Sequence, residues 1–379
     1  MKKKLGDVFE IGSGGTPSKT HPEYYGGDIP WVKTGDLKSE YLYEVEDFIT
    51  EEGLNNSSAK MYESDTVLIA MYGATIGATS ILNFPACTNQ ACAAFKKSEE
   101  ILPEYLYFFL RSKKEKFVND GVGGTQPNIS AGYLKKVQIE VRSLDEQSEI
   151  INVLDKVNRI IDERTKELAA LDDLIKARFV EMFGGLHNSK LYPYVSIETF
   201  TDVTSGGTPN RNTKEYWENG NIRWVKTTEL HNNFITDTEE YITRKGIDNS
   251  SAKVIPAHSI LVAMYGQGKT RGMTGYLLKE CTTNQACACI LPCKRVDQKY
   301  LWYYMILSYD KLRGMAKGGN QPNLNIGIIK RFQVLVPPIE LQNQFADFVN
   351  QVYKSKVEIQ QALEKTQLLF DSLMQQYFG

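Results

Sequence analysis

Two long stretches of the chain place apolar and polar residues with the period of a helix. Residues 145–182 contain no glycine or proline, and apolar side chains recur there at steps of three and four, as in an amphipathic helix. A second stretch with the same spacing begins after residue 338, and the two stretches close on Phe183-Gly184 and Phe378-Gly379. Because glycine favours the turn that ends a helix, the sequence predicts a long helix up to each of these dipeptides.

The apolar positions of both helices form a heptad seam with a few basic or polar interruptions. The seam positions are Ile150, Leu154, Val157, Ile161, Arg164, Leu168, Leu171, Ile175, Arg178 and Met182 in the first helix, and Phe345, Val349, Val352, Lys356, Ile359, Leu363, Thr366, Phe370, Leu373 and Tyr377 in the second. Such a seam favours a coiled coil of the two helices, whose polar members oppose slippage. The alternative is that each helix packs on its own domain, although a rod of ~57 Å would outreach a small domain.

Outside these helices, apolar residues come in short runs between glycine-rich turns. The runs at 66–71 and 259–264 have the length and composition of buried strands. Shorter helical stretches are expected at 104–117 and 298–313. We therefore predict an α/β (α+β) class with mixed, irregular β-sheets.

The two halves of the chain repeat the same motifs in the same order. The repeated motifs are Gly-Gly-Thr-Pro (14–17 and 206–209), Trp-Val-Lys-Thr (31–34 and 224–227), Asn-Ser-Ser-Ala-Lys (56–60 and 249–253), Ala-Met-Tyr-Gly (70–73 and 263–266), Thr-Asn-Gln (88–90 and 283–285) and Gln-Pro-Asn (126–128 and 321–323). The interval is 192 or 193 residues up to Ala-Met-Tyr-Gly and 195 residues after it. Repetition over nearly the whole chain indicates two tandem copies of one unit.

The repeat and the helices divide the chain into four predicted segments. They are a first domain at 1–143, a long helix at 144–184, a second domain at 185–338 and a second long helix at 339–379.

Composition is typical of a globular protein, with 42% hydrophobic and 24% charged residues. No apolar run approaches the roughly 18 residues of a membrane span, and no apolar stretch follows the basic N-terminal residues. We expect a cytoplasmic protein without membrane contact. The formal net charge of -2 is unusual for a nucleic-acid binder, so any basic surface must be local or supplied by a partner.

Candidate chemistry is sparse. The cysteines between 281 and 293 are irregularly spaced, without a CxxC pair or a nearby histidine, so packed strand residues explain them better than the zinc alternative. Residues 263–270 meet a relaxed phosphate-loop pattern, but the first copy has no lysine there. Val336-Pro337-Pro338-Ile339 lacks the polar and aromatic ends of a base-methyltransferase motif. We predict no catalytic residues, cofactor or metal.

Taken together, these motifs resemble the specificity (S) subunits of type I restriction-modification systems over essentially the full chain. The resemblance is carried by Gly-Gly-Thr-Pro, by Ile-Pro-Trp-Val-Lys-Thr at 29–34 with its copy at 222–227, by Thr-Asn-Gln, by Gln-Pro-Asn and by the helix that ends each half. It implies two target recognition domains separated by an antiparallel coiled coil. It also implies double-stranded DNA, two methyltransferase (modification) subunits and, in the full complex, restriction (translocase) subunits as partners.

Helix length and domain divergence bear on the expected target. A rod of ~57 Å matches ~17 base pairs at ~3.4 Å each, and two non-identical readers would contact two different half-sites. The expected target is therefore an asymmetric bipartite site. The subunit would be non-catalytic but required for the methyltransferase and endonuclease activities of the complex. The alternatives are a protein-interaction scaffold without DNA affinity and, with less support, a nucleotide-binding enzyme.

Positions that differ between the copies are the candidates for base reading, since shared positions serve the fold or contact phosphates. The divergent segments are 74–79 against 267–272, and the residues that follow each Trp-Val-Lys-Thr strand. Their candidates are Lys38, Ser39, Tyr41, Thr75 and Thr79 in the first domain and His231, Asn232, Asn233, Gln267, Lys269 and Arg271 in the second. Gln267, Lys269 and Arg271 offer adenine-type and guanine-type hydrogen bonds.

Shared polar positions are the candidates for phosphate contact or positioning. They are Thr16, Lys33 and Tyr72 with their counterparts Thr208, Lys226 and Tyr265, together with Gln126, Asn128, Gln321 and Asn323 beside glycine-rich runs. For each residue the alternative is an exposed or turn-forming role, an Asx-type turn in the case of the Gln-Pro-Asn segments.

Overall fold

A computed structural model of the chain describes residues 1–121, 128–266, 268–316 and 322–379. The chain forms two compact units. Unit 1 consists of Met1–Thr165 with Gln360–Gly379, and unit 2 consists of Lys166–Ile359. Each unit combines a domain of mixed strands and short helices with one half of each long helix, which confirms the predicted α+β class and the tandem arrangement.

Unit 1 is built on short strands that form mixed sheets. The strands are β1 (Lys2–Lys4), β2 (Ile11–Ser13), β3 (Tyr25–Val32), β4 (Tyr41–Leu42), β5 (Phe48–Ile49), β6 (Met61–Tyr62), β7 (Val67–Ala70), β8 (Thr79–Leu82), β9 (Ala86–Thr88), β10 (Cys92–Phe95) and β11 (Gln138–Glu140). A five-stranded sheet has the order β2-β10-β7-β8-β4, a four-stranded sheet the order β5-β3-β9-β6, and β1 pairs with β11. The pairs β4/β8 and β3/β9 are parallel, so the sheets are mixed as predicted.

The helices of unit 1 are α1 (Leu5–Val8), α2 (Glu51–Asn55), α3 (Pro103–Ser112), α4 (Lys114–Asp120), α5 (Ala131–Lys136) and the first part of α6 (Leu144–Phe183). Among them, α3 and α5 contact the five-stranded sheet, and α2 contacts the four-stranded sheet. Helix α3 packs on β7 and β8, and its side chains from Tyr105 to Leu110 are all buried. This apolar layer is the core on which the long helices rest.

Unit 2 repeats this architecture. Its strands are β12 (Tyr194–Ser196), β13 (Val203–Ser205), β14 (Ile222–Val225), β15 (Asn233–Ile235), β16 (Glu240–Ile242), β17 (Ile260–Ala263), β18 (Thr274–Leu277), β19 (Thr282–Thr283), β20 (Cys287–Ile290) and β21 (Gln333–Leu335). Its helices are α7 (Arg244–Asp248), α8 (Gln298–Leu307), α9 (Tyr309–Gly314), α10 (Ile326–Lys330) and α11 (Ile339–Phe378). The strand order β13-β20-β17-β18-β15 is the order of the five-stranded sheet in unit 1, strand for strand.

The long helices α6 and α11 have 40 residues each, which corresponds to about 60 Å. Helix α6 begins at a capping box, in which the Ser143 hydroxyl accepts from the Glu146 backbone N–H and the Glu146 carboxylate accepts from that of Ser143. These bonds lower the pKa of Glu146. Helix α6 ends at Phe183, and the next residue, Gly184, has a φ of +73°, as predicted for a glycine-terminated helix. Within the described residues, no helix combines the length and apolarity needed to cross a bilayer.

In unit 2 the two long helices run antiparallel. Phe179 of α6 stacks edge-on against Phe345 of α11, at 5.4 Å between ring centroids. Seven residues earlier on α6, Asp172 accepts from the Lys356 ammonium at 2.5 Å. Residue numbers therefore increase along α6 in the direction in which they decrease along α11. The pairing of the helices is confirmed, and the basic seam residue Lys356 fixes register through an ion pair.

In unit 1 the helix contact is also polar at its seam. Arg164 donates to the Ala362 carbonyl at 2.6 Å and to the Thr366 hydroxyl. Towards the domain the seam becomes apolar, with buried Ile150, Leu154, Val157, Phe370, Met374 and Phe378 in one core. In unit 1 the helices thus contact each other and the domain at once. Helix α6 packs on the domain that it follows, as in the second arrangement considered from the sequence, whereas the end of α11 packs on this first domain and not on the one that it follows.

A buried glutamine fastens the start of each long helix to its domain. Gln147 accepts from the Leu102 N–H at 2.9 Å and donates to the Glu100 carbonyl at 2.8 Å. Its counterpart Gln342 accepts from the Asp297 N–H at 2.8 Å and donates to the Pro337 carbonyl at 2.7 Å. Since a buried amide is costly unless it is hydrogen-bonded, each helix has one favourable angle of departure.

The docking of α6 on unit 2 can be tested at Phe179, which is 1% exposed and contacts the rings of Phe183, Tyr304 and Phe345. Phe179→Ala is expected to lower the free energy of unfolding of unit 2 by about 3–5 kcal/mol through the cavity it leaves. Val180→Ala, at a 54% exposed position on the same helix, is expected to change it by about 0.5 kcal/mol or less. Urea unfolding followed by circular dichroism measures both, and equal losses would contradict the docking.

Candidate nucleic-acid interface

The repeated motifs of unit 1 meet at one place, which we call the motif junction. The Gly15 N–H donates to the Thr88 carbonyl at 2.8 Å, and the Trp31 indole donates to the Gly15 carbonyl at 3.0 Å. Further along, the Met71 N–H donates to the Ala91 carbonyl at 2.8 Å. The Gly-Gly-Thr-Pro, Trp-Val-Lys-Thr, Thr-Asn-Gln and Ala-Met-Tyr-Gly segments are therefore joined by direct hydrogen bonds.

The segment that begins at Asn128, the last residue of the Gln-Pro-Asn motif, also joins the junction. Asn128 forms an isolated antiparallel bridge with Tyr72, and the Ile129 N–H donates to the Met71 carbonyl at 3.0 Å. Motifs that are more than fifty residues apart in the sequence thus border one another.

Unit 2 contains a second motif junction with the same bonds. The Gly207 N–H donates to the Thr283 carbonyl at 2.8 Å, and the Trp224 indole donates to the Gly207 carbonyl at 3.0 Å. The Met264 N–H in turn donates to the Ala286 carbonyl, and the Leu324 N–H to that of Met264. The shared motifs therefore have a structural role in both units.

The paired glycines are required by close packing at the junction. A Cβ on Gly14 would overlap the Thr88 carbonyl, and a Cβ on Gly206 would overlap that of Thr283. The second glycine of each pair, such as Gly15, lies against the Ser-Ser-Ala backbone at Ser58, which explains why that motif also repeats. Only glycine permits such a close approach of two backbones.

The shared threonines and lysines at the junction are already engaged. The Thr16 hydroxyl donates to the Gln90 side-chain oxygen, and that of Thr208 donates to Gln285 at 2.5 Å. Lys33 pairs with Asp47, whose carboxylate raises the pKa of the lysine.

Lys226 pairs with Glu239 at 2.7 Å and with Glu240 at 3.1 Å, and both carboxylates raise its pKa. Since these ion pairs are partly exposed, they are weak enough to exchange for a phosphate. Phosphate contact at Lys33 and Lys226 remains a prediction.

Among the shared candidates, Tyr72 and Tyr265 are exposed, with 43% and 42% of their surface accessible. Each is the second residue of the loop that joins two neighbouring strands of the five-stranded sheet, β7 and β8 in unit 1 and β17 and β18 in unit 2. Asn128 is exposed and Asn323 is half-buried. Gln126, Gln267 and Gln321 lie outside the described residues.

In unit 1 the segment after the Trp-Val-Lys-Thr strand contains two exposed candidates, Lys38 and Ser39. The Ser39 hydroxyl donates to the Tyr41 carbonyl at 2.7 Å, and the Tyr41 hydroxyl donates to Glu104. Burial and the Glu104 carboxylate raise the pKa of Tyr41 far above its usual value. Of the three, Lys38 is the exposed residue whose side chain makes no hydrogen bond or ion pair with the part of the chain that the structure describes.

The corresponding segment of unit 2 is bound to the neighbouring strand. The Asn232 side-chain oxygen accepts from both the backbone N–H and the hydroxyl of Thr274, each at 3.0 Å. Asn233 accepts from the His231 N–H at 2.8 Å. His231 is exposed, and the two asparagine oxygens hold the turn that presents it.

The second divergent segment is the loop between two neighbouring antiparallel strands, β7 and β8 in unit 1 and β17 and β18 in unit 2. The β7–β8 loop of unit 1 comprises residues 71–78, and the β17–β18 loop of unit 2 comprises residues 264–273. The loop of unit 2 is thus two residues longer, and the repeat interval changes from 193 to 195 at this place. The candidate reading loops are therefore the part of the repeat that changed length.

The candidates of these loops differ in exposure. In unit 1 the Thr75 hydroxyl donates to the Tyr72 carbonyl at 3.2 Å, while Thr79 is buried in β8 and donates to the Gly77 carbonyl at 3.1 Å. In unit 2 Lys269 is exposed, and Arg271 is half-buried with its guanidinium on the Pro322 carbonyl.

The β17–β18 loop has the wrong context for a nucleotide-binding loop. A phosphate loop leads from a strand into a helix, whose N-terminus binds the phosphates. Here the Gly268-Lys269-Thr270 segment leads from β17 into β18, its antiparallel neighbour. This geometry accounts for the phosphate-loop pattern as part of a hairpin.

Two cysteines of unit 2, Cys287 and Cys289, lie on strand β20, while Cys281 forms an isolated bridge with Ile255 and Cys293 is half-buried outside the strands. Cys281, Cys287 and Cys289 are buried, and burial raises the pKa of Cys287 to about 12. Such thiols behave as small apolar side chains. Within the described residues, no group of three or more His, Cys, Asp or Glu side chains is arranged to hold a metal ion.

Sequence reasoning missed two sets of residues that shape these surfaces. Gln147 and Gln342 lie 195 positions apart, and this repeat spacing inside the helical stretch was the available signal. Tyr309 and Arg313 contact the β17–β18 loop, but their unit 1 counterparts Lys114 and Val118 differ, so no repeat signal pointed to them.

Comparison with known proteins gives a consistent result for the whole chain. The family model described as type I restriction modification DNA specificity domain matches residues 1–172 and again residues 190–368. The MjaIX type I restriction enzyme specificity subunit of Methanocaldococcus jannaschii is 24% identical, with 98% of this chain and 91% of that protein covered. The EcoR124I/EcoR124II specificity subunit of Escherichia coli is also 24% identical, with 86% of this chain and 87% of that protein covered.

A solved structure has the same fold. The S subunit of the type I restriction-modification system from M. genitalium matches with a TM-score of 0.61 at 14% identity, and the match covers 100% of this chain and 96% of that one.

The glycine requirement at the motif junction can be tested with Gly206→Ala. The new Cβ would overlap the Thr283 carbonyl. Overpacking of a core costs roughly 1–3 kcal/mol of stability. The variant is therefore expected to have a melting temperature at least several degrees below that of the wild type. Gly314→Ala is the matched control, because nothing lies within 4 Å of its Cβ position. Thermal unfolding measures both, and an unchanged melting temperature for Gly206→Ala would contradict the close contact.

Glu40 gives unit 1 a pH dependence. Burial and then the Asp155 carboxylate raise its pKa from 4.5 to about 7, with smaller contributions from Glu104 and Asp162, and Arg111 opposes them. Below pH ~4.5 both the folded and the unfolded chain are protonated at this group. Between pH ~4.5 and ~7 the unfolded chain releases the proton first, so stability falls, and above pH ~7 the full cost is present.

Glu40→Gln removes this ionisation and is expected to melt higher than the wild type at pH ~8. The difference between the two proteins should shrink by pH ~5, where most of the native Glu40 is protonated. Glu44→Gln, at an exposed position nearby, controls for the change of net charge. A shift of equal size at both pH values would show that ionisation of Glu40 is not its cause.

Proposed function

Because the chain belongs to the family of type I restriction-modification specificity subunits, we propose that it reads an asymmetric, bipartite site in double-stranded DNA through its two domains. One observation carries this proposal. The same motif junction occurs in both units with the same hydrogen bonds, while the surface segments beside it differ in sequence and length. Two domains with the same hydrogen-bonded junction and different surface segments suit the recognition of two different half-sites.

The reading segments border the junction in each unit. In unit 1 we assign direct DNA contact to the exposed Lys38 and Tyr72, and in unit 2 to the exposed His231, Tyr265 and Lys269. Lysine and histidine side chains can contact phosphates or base edges, and tyrosine can contact phosphates. The buried Thr79 is assigned to the fold.

We further propose that the long helices set the gap between the half-sites. A helix of 40 residues is about 60 Å long, which matches roughly 17 base pairs. The capping box at Ser143, the buried Gln147 and the ion pair of Lys356 with Asp172 support a helix pair of constant length and register.

Methyltransferase subunits are the proposed direct partners, with restriction subunits in the full complex. Val153, Ile160 and Leu174 of α6 are exposed and spaced by multiples of seven, so they share one helix face. On α11, Leu368 and Leu369 are also exposed. Apolar positions of this kind suit packing against helices of a partner, and a partner can also supply the positive charge that a net charge of -2 does not.

A domain exchange tests the function. The chain is coexpressed with its modification subunit, and methylated sites are mapped by sequencing. Replacing residues 190–338 by another recognition domain should change one half-site and leave the other half-site and the gap unchanged. The reciprocal replacement of residues 1–143 should change only the other half-site.

Three outcomes would contradict the proposal. If either exchange altered both half-sites, the domains would not be independent readers. If the gap changed with an exchanged domain, the helices would not set it. If the wild-type complex assembled but methylated without sequence preference, the chain would be a protein-interaction scaffold rather than a DNA reader.

A further inference from the structure

The β17–β18 loop of unit 2 is held from outside by helix α9. The Tyr309 hydroxyl donates to the Lys269 carbonyl at 2.6 Å. Arg313, one helical turn later, donates to the Arg271 carbonyl at 2.8 Å and to the Tyr309 hydroxyl at 3.0 Å. Because Tyr309 and Arg313 are four residues apart, they lie on one face of the helix, and that face is directed at the loop.

These contacts fall on the backbone of residues that are candidates for DNA reading. The carbonyls that are held belong to Lys269 and Arg271, so the bonds restrain the points from which both side chains leave the backbone. The Arg271 guanidinium adds a further tie by donating to the Pro322 carbonyl. The position of the exposed Lys269 side chain therefore depends on α9.

The loop has a physical need for this support. It is two residues longer than its counterpart in unit 1, and Gly268 and Gly272 have φ values of +59° and +88°. Glycine loses more conformational freedom on ordering than other residues, so a longer, glycine-containing loop needs extra interactions to keep one conformation.

Unit 1 shows, within the residues that the structure describes, no equivalent side-chain hydrogen bond from α4 to its loop, although Lys114 lies against Gly77. At the positions of Tyr309 and Arg313 it has Lys114 and Val118, and a valine side chain cannot donate to a carbonyl. Inside the shorter β7–β8 loop the Ile76 N–H donates to the Gly73 carbonyl at 3.1 Å. Both loops have the same closing bond, from the Ala78 N–H to the Thr75 carbonyl at 2.8 Å in unit 1 and from the Met273 N–H to the Thr270 carbonyl at 2.9 Å in unit 2. External support thus accompanies the longer loop.

We propose that Tyr309 and Arg313 are positioning residues for the β17–β18 loop, and that they sharpen base discrimination at the half-site of unit 2 without touching the bases. This inference rests on the proposed function for its consequence on DNA. The structural half, that α9 restrains the loop, stands on the contacts within unit 2 alone.

Tyr309→Phe is the primary test, because it removes the hydroxyl and keeps the ring. Hydrogen exchange of the free protein should become faster at residues 268–273. In the complex with the modification subunit, discrimination against single-base changes should fall by roughly fivefold at one or two adjacent base pairs of the unit 2 half-site. The unit 1 half-site should not change, which makes it an internal control. Arg313→Met should act in the same direction.

Tyr304→Phe is the matched control. It removes a tyrosine hydroxyl that also donates to a backbone carbonyl, that of Leu186 at 2.8 Å, but it lies in the core of unit 2 rather than at the loop. It is expected to lower the melting temperature while loop exchange and half-site discrimination stay at wild-type levels. A merely structural effect would instead appear in both variants.

The possible failures are distinguishable. Unchanged loop exchange in Tyr309→Phe would overturn the restraint itself, whatever the DNA result. Faster exchange with unchanged discrimination would overturn the specificity role. A loss of discrimination shared equally by Tyr304→Phe would also overturn it. If the wild-type complex showed no sequence preference, the proposed function would fail, and the role in discrimination with it.

Discussion

The contact between a glycine pair and a strand-end carbonyl is the constraint on which each unit depends. Gly14 and Gly206 lie so close to the Thr88 and Thr283 carbonyls that no side chain fits, and the next N–H in the chain donates to the same oxygen. This contact joins the first turn of the domain to the Thr-Asn-Gln strand, and the tryptophan and the tyrosine loop attach to the same place. A single backbone approach therefore determines where the candidate reading segments emerge.

The long helices are fixed to these frames by buried polar groups as well as by apolar packing. Gln147 and Gln342 satisfy backbone groups of the domain at the start of each helix, and Arg164 and Lys356 link one helix to the other. Because polar contacts have definite geometry, they specify angle and register, which apolar burial alone does not. The proposed role of the helices, to set the gap between two half-sites, requires both properties.

The differences between the units are as informative as the repeat. Unit 1 has a half-buried Glu40 and the Tyr41–Glu104 bond behind its reading segment. At the Tyr41 position unit 2 has Phe234, packed on Trp302 at 4.7 Å, and its longer loop is supported by α9. The frame has thus remained the same while the support behind the reading segments differs, as expected for two readers of different sequences.

The sequence by itself determined the duplication, the two helices, their seam and the family, because motif order and heptad spacing are local properties that can be read along the chain. It also marked the loop where the repeat interval changes. Only the tertiary structure showed which candidates are free. Lys33, Lys226 and Asn232 are engaged by partners more than ten residues away in the sequence, which leave no local pattern. Ser39 and Asn233 are engaged within local turns, and Thr79 is buried in a strand. Exposure and hydrogen bonding depend on long-range contacts, and for that reason the frame was predictable and the individual contacts were not.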